Sequence, residues 1–233
     1  MTQGRGTWHP RETAKRSACW PSAYIPRMGK RIILIGGMPT AGKSTIALTL
    51  SKHLGLPWIS TDQIGTVMRA VASRASHHDL FTWYDRDDFQ YLDEQTAGEI
   101  ADGELAKGEA VWPGVRSLID EDYTWGDGFI IEGDDVLPHL VARDLSDARH
   151  VSAVFIGDPD IERIRSVVLA RNFVGDDARA YPDAVKEKEI RWILAYGEKL
   201  KTQARDHRMP WVEVQKDEHD LARVLAALVE RGR

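Results

Sequence analysis

An α/β chain with a parallel five-stranded sheet, helices on both faces and a helical lid is what the sequence predicts. Three observations carry this: short β-branched runs alternate with longer helical patterns from Arg31 onward; a glycine-rich turn sits between the first such run and the first helical one; and five runs, RIILIG, LPWIST, GFIIEG, HVSAVFIG and PWVEVQ, read as strands.

The leader before the first strand, residues 1–29, is rich in Arg, Pro and Gly and has a single acid, Glu12. It lacks the apolar centre of a secretory signal and is expected to be disordered, with Met28 an alternative start for the folded part. Residues 30–233 are expected to form one domain. Within it, Asp62 to Arg74 carries Ile64, Val67, Met68 and Val71 in the spacing of an amphipathic helix, and Leu221, Val224, Leu225 and Leu228 repeat that spacing near the end. The connection 73–127 is too long for a simple crossover. It reads as a helical insert on the acceptor side, with Pro113 and Gly114 breaking it so that a fresh helix begins at about Ala110. The polar segment NFVGDDARAYP, residues 172–182, reads as a lid, followed by a long charged helix from about Asp183 to Asp206.

Composition narrows the function. The 233 residues are 42% hydrophobic and 29% charged, with a formal net charge of -5 and no basic stripe of the kind that binds nucleic acid. No apolar run approaches the roughly 20 residues a membrane span requires. The single cysteine, Cys19, excludes an internal disulfide framework and fits a reducing compartment, so a cytoplasmic location is expected. His77 and His78 precede Asp79 in a polar patch and read as a solvated loop.

The chemistry-bearing stretch is the turn itself. Gly37-Met38-Pro39-Thr40-Ala41-Gly42-Lys43-Ser44, followed by Thr45, satisfies G-x-x-x-x-G-K-[ST] between a strand and a helix. Glycines let the backbone curl its N–H groups inward at phosphate oxygens, and the helix start adds the positive end of its dipole. Lys43 then bridges the β- and γ-phosphates, and Ser44 ligates Mg²⁺. The expected cofactors are ATP and Mg²⁺. The second strand ends in WISTD, which leaves Asp62 at a carboxyl end, where it can orient or deprotonate an acceptor hydroxyl or simply cap the next helix, as can Thr61. The third strand delivers Glu132, with Asp134 and Asp135 behind it, for magnesium or substrate. Arg163 and Arg171 share a face of the helix before the lid while Arg165 points elsewhere, and Arg171 with Arg179 brackets the lid for closure over the γ-phosphate.

This layout resembles the P-loop kinases of small molecules, and within them the 2-phosphoglycerate kinase-like group. The resemblance rests on GGMPTAGKSTIA, ISTDQIGTVMR and IIEGDDVLP, and extends more weakly to the arginine helix and lid, over most of Arg31 to Gln215. It implies a three-layer P-loop NTPase fold, nucleotide binding at Gly37, Gly42, Lys43, Ser44 and Thr45, acceptor work at Asp62, and a substrate or magnesium role for Glu132. The group tends to carry an arginine shortly after the strand-two aspartate. Here that place is taken by Gly65, and Arg69, seven residues beyond Asp62, is the first arginine. Arg69 and Arg116 are the acceptor-side cations, with Trp112 beside Arg116 as packing. Two other readings share the cradle: a nucleoside or nucleotide kinase whose base stacks in the aromatic segment from Tyr84 to Trp112, and a regulatory protein in which ATP is a switch. Adenine is expected around Val214 to Lys216.

Overall fold

The computed structural model describes residues 30–84, 88–121, 124–170 and 182–230. The leader, Arg171, Arg179 and all of the lid segment except Pro182 lie outside these.

Five strands, β1 (Arg31–Gly37), β2 (Trp58–Ser60), β3 (Gly128–Glu132), β4 (Val151–Gly157) and β5 (Trp211–Glu213), form one all-parallel sheet in the order β2-β3-β1-β4-β5. The three central strands are nearly continuous apolar runs, as strands covered on both faces must be. Helices α1 (Lys43–Leu54) and α8 (Asp220–Glu230) pack together against the sheet, and α5 (Pro138–Leu145) and α7 (Asp183–Asp206) form the opposing layer. The charged helix expected at 183–206 is therefore found with those bounds. Its length is tolerated because Val185, Ile190, Trp192, Ile193, Tyr196 and Leu200 make a buried stripe down one side.

After α2 (Thr61–Val71), the long connection 73–127 contains a 3₁₀ turn (His78–Phe81), α3 (Asp88–Glu94) and α4 (Ala97–Glu121). His77 and His78 are exposed. Contrary to expectation, α4 runs unbroken through Pro113 and Gly114. Proline removes one helical hydrogen bond, but its neighbours Val111, Trp112 and Val115 are buried and the Trp112 indole donates to Asp144 at 2.7 Å, so packing holds the helix through it. Gly114 serves contact instead of termination: a Cβ there would lie 2.5 Å from the Met68 sulfur and 2.8 Å from Ile64, so its absence lets α2 lie close against α4.

Register sets the site. β2 and β1 both pair with β3 so that Ser60, Glu132 and Ile35 stand level across the sheet. The residues just beyond that row, Gly36 onward, Thr61–Asp62 and Gly133–Asp135, emerge together at the carboxyl edge, and the order β2-β3-β1-β4-β5 places the reversal of strand order there. Among the described residues no helix is long and apolar enough to cross a membrane.

Candidate phosphate and acceptor site

Two helices start at this edge, and their N-termini are finished differently. At α2 the Ser60 hydroxyl accepts from the Gln63 N–H at 3.2 Å while the Gln63 side chain accepts from the Ser60 N–H at 3.0 Å, a complete capping box. The cap is thus Ser60, not Thr61 or Asp62, which corrects the alternative expected for those two residues and leaves the Asp62 carboxylate uncommitted to capping. At α1 the N-cap is Gly42, with no side chain to cap it and no acidic residue in the first turn. Its free N–H groups and the dipole they end make an anion seat. Gly37 at φ 135° and Gly42 at φ 91° adopt conformations open to glycine, and Thr40 at φ 65° joins them in curling the loop. This arrangement fits a polyphosphate.

Lys43 is 8% exposed; its ammonium donates to the Met38 carbonyl at 2.9 Å and pairs with Asp134. The Ser44 hydroxyl donates to Glu132 at 3.0 Å. Glu132 is 3% exposed, and burial raises its pKa against the opposing pull of Lys43 and the Ser44 hydrogen bond. A desolvated carboxylate beside a hydroxyl is a hard-oxygen pair suited to magnesium, which takes few protein ligands and completes its shell with water and phosphate. Among the described residues no three His, Cys, Asp or Glu side chains gather as a larger metal site. Gly133, at φ 151°, lies so close to Thr61 that a Cβ would stand 1.9 Å from its hydroxyl, which locks the start of α2 onto the acid loop.

Asp62 opens to solvent on one side, yet the atoms crowding its other sides desolvate it; that burial raises its pKa, Lys107 pulls it down, and Asp134 and Asp135 push it up again. Lys107 was not singled out from the sequence. It projects from α4, 12% exposed, with its ammonium 2.9 Å from Glu104 and 3.4 Å from Asp135. Glu104 is buried, accepts from the Trp83 indole, and has its pKa raised to about 7 by that burial. Consecutive acids therefore hold the two lysines: Asp134 the one at the start of α1, Asp135 the one on α4. The available signal was a charge on an apolar stripe, since Ile100, Glu104, Gly108, Val111 and Val115 share the buried face of α4.

Other expected residues lie elsewhere. Arg116 is spent on Asp120 at 2.7 Å and on the Asp144 carbonyl at 2.8 Å, tying α4 to α5. Arg163, on α6 (Ile161–Ala170), is fixed by Asp158 at 2.8 Å. In the aromatic segment, Tyr91 and Trp112 are buried in the core and the Tyr84 ring is covered by Arg69 at 3.9 Å. Near Val214 the structure adds Lys216, whose ammonium donates to the Thr40 carbonyl at 3.1 Å and to the Ala41 carbonyl, bracing the phosphate loop from the last strand.

No family model matches the chain. Over 190 residues it is 32% identical to a 2-phosphoglycerate kinase from Methanothermobacter thermautotrophicus, covering 78% of this chain and 60% of the relative. A 2-phosphoglycerate kinase from Methanocaldococcus jannaschii is 36% identical over 151 residues, 62% of this chain and 46% of the relative. The chain is related to the 2-phosphoglycerate kinases. A further 2-phosphoglycerate kinase, from Thermococcus kodakarensis, is 26% identical over 223 residues, 95% of this chain and 73% of the relative. The chain spans about half the length of the first of these 2-phosphoglycerate kinases. Among solved structures, a shikimate kinase from Aquifex aeolicus is 17% identical, covering 85% of this chain and 96% of its own, with a TM-score of 0.46. A gluconokinase from Sinorhizobium meliloti is 15% identical, covering 87% and 92%, with a TM-score of 0.41.

Proposed function

We propose that the protein is an ATP-dependent, magnesium-requiring phosphotransferase acting on a small-molecule acceptor, of the kind its 2-phosphoglycerate kinase relatives are named for. The observation that carries this is the uncapped N-terminus of α1 with Lys43 and the Ser44–Glu132 pair beside it, at the same sheet edge from which α2 starts with Asp62 in its first turn. Bound Mg-ATP supplies the transferable phosphoryl group and the metal charge. The loop Gly37–Thr45 seats the triphosphate, Lys43 leaves Asp134 to neutralise the transferring group, Ser44 and Glu132 hold the magnesium, and Asp62 orients the acceptor hydroxyl and takes its proton. Arg171 and Arg179 are assigned to closure over the γ-phosphate, and the backbone near Val214 to Lys216 to adenine. Of the aromatic side chains described in the segment from Tyr84 to Trp112, Tyr91 and Trp112 are packed in the core, while Tyr84 is exposed with Arg69 over its ring.

The test is ADP release from Mg-ATP with a panel of 2-phosphoglycerate, sugars, nucleosides and nucleoside monophosphates, against an acceptor-free control. Stimulation by one class establishes the kinase, and Asp62→Asn should lower that stimulated rate by about 10²–10⁴-fold while ATP still binds. If Asp62→Asn retains the full stimulated rate, Asp62 is not the base; tight ATP binding with no acceptor effect favours the switch.

A further inference from the structure

Lys216, in the turn between β5 and α8, sends its ammonium back to the phosphate loop, where it donates to the Thr40 carbonyl at 3.1 Å and to the Ala41 carbonyl. A Cβ at Gly42 would lie 2.7 Å from the same nitrogen, so the glycine at the N-cap of α1 also leaves room for this lysine. The turn that carries it is fixed from several directions. The Asp220 carboxylate accepts from the Gln215 N–H at 2.9 Å and from the Lys216 N–H at 2.8 Å. Arg163, held on Asp158, donates to the Val214 carbonyl at 3.4 Å. Lys216 itself stands at φ 59°, a left-handed conformation that residues other than Gly, Asn and Asp seldom take. An uncommon conformation kept at a lysine is a reason to ask what the lysine does.

Peptide geometry gives the answer. In a trans peptide the carbonyl and the N–H that follows it point in opposite directions. Holding the Thr40 and Ala41 carbonyls on one ammonium therefore turns the Ala41 and Gly42 N–H groups away from Lys216. The Ala41 N–H reaches back to the Met38 carbonyl at 3.4 Å, and the Gly42 N–H leads into the uncapped start of α1. A seat made of peptide dipoles binds an anion best when they are aligned beforehand, because otherwise part of the binding energy goes into aligning them. An ammonium has donors only, so it can hold carbonyls on one side of the loop without competing for the N–H groups on the other.

We propose that Lys216 is a positioning residue for the phosphate seat, a built-in cation whose hydrogen bonds to the Thr40 and Ala41 carbonyls keep the loop in its anion-receiving shape before nucleotide arrives. This rests on the reading of Gly37–Thr45 as a triphosphate seat, and not on transfer of the phosphoryl group. Because the ammonium holds the loop and not the base, its loss weakens every polyphosphate alike, with or without adenine. Because it acts through hydrogen bonds to carbonyls, a free ammonium ion of the right shape can stand in for it.

The experiment measures binding of Mg-ATP and of magnesium tripolyphosphate by calorimetry for the full chain as wild type, Lys216→Ala and Lys216→Gly. Amide hydrogen exchange at residues 40–42 is followed in each without ligand. Lys216→Gly relieves the left-handed backbone, so it separates loss of the ammonium from the strain that alanine retains. The expected result is a rise of about tenfold in Kd for both compounds in both variants, with faster exchange at residues 40–42. n-Propylammonium, which replaces the atoms from Cγ to Nζ missing in Lys216→Ala, should recover most of the lost affinity, and tetramethylammonium, a charge without a donor, should not. The proposal is overturned if only ATP binding weakens, since Lys216 then serves the base, or if binding weakens with exchange unchanged, since the lysine then meets phosphate directly. It is also overturned if tetramethylammonium restores binding as well as n-propylammonium does, or if neither restores it. If the wild type binds neither compound, the triphosphate reading falls with it. Lys216-dependent binding of both compounds without acceptor-stimulated ADP release upholds the brace and rejects phosphoryl transfer.

Discussion

In the proposed reaction the Lys43 ammonium has two successive jobs. Without nucleotide it satisfies the Met38 carbonyl and Asp134; with nucleotide it is needed on phosphate. Lys43→Met should therefore abolish acceptor-stimulated turnover by at least about 10²-fold, measured as ADP release. Glu104 gives a different prediction, one of stability. Its pKa of about 7 against an ordinary 4.5 means the folded state binds this proton more tightly than the unfolded chain. Its contribution is thus fully present below about pH 4.5 and is lost as pH rises to about 7, by at most roughly 3 kcal/mol. Urea denaturation between pH 5 and 8 should show this decline in the wild type and a flatter profile in Glu104→Gln. Lys43 and Ser44 stand where the motif places them, at the start of α1, because the loop's conformation, glycines and helix start are all local. Lys107 and Glu104 escaped because their meaning depends on Asp135 and Trp83, brought to them only by tertiary packing. Arg116 met the opposite fate, since nothing local shows that Asp144 stands ready to take it.

Among the elements, α2 is where sequence and structure diverge most usefully. WISTD offers several capping residues, and the period of Ile64 and Met68 predicts the helix but not which residue closes it. Gln63 decides, because only Ser60 stands three residues before it for the reciprocal box. Ser60→Ala should cost about 1 kcal/mol of unfolding free energy, read from a urea midpoint, with ATP binding retained. The junction of α2 with the acid loop is less forgiving. Gly133→Ala must place a methyl against the Thr61 hydroxyl at a φ of 151°, so a loss on the order of 2 kcal/mol or more is expected, with acceptor turnover falling alongside. For α4, proline's usual role as a helix breaker misleads: Pro113 sits exposed on a helix whose other side is anchored by Val111, Trp112 and Val115. Tertiary burial overrides the local preference.

For the molecule as a whole, the parallel sheet was legible because its central strands are buried on both faces and so leave unbroken apolar runs. Their order, by contrast, is written in no short segment. The fold also predicts a global response to ligand. Mg-ATP at a hundredfold excess over its Kd should stabilise the protein by about 2.7 kcal/mol, seen as a rise of several degrees in melting temperature that Lys43→Met loses. The adjacent acids Asp134 and Asp135 carry a final implication. Each is the counter-ion of a lysine on a different side of the site, and the Tyr196 hydroxyl pins their loop by donating to the Asp134 carbonyl at 2.7 Å. When a triphosphate draws Lys43 away, Asp134 is left as an unbalanced negative charge whose field reaches Lys107 and Asp62. In the proposed reaction the two substrates would then not bind independently: whatever factor nucleotide imposed on acceptor affinity, acceptor would impose on nucleotide affinity. Asp134→Asn, by removing the released charge, should bring that factor towards one in both directions.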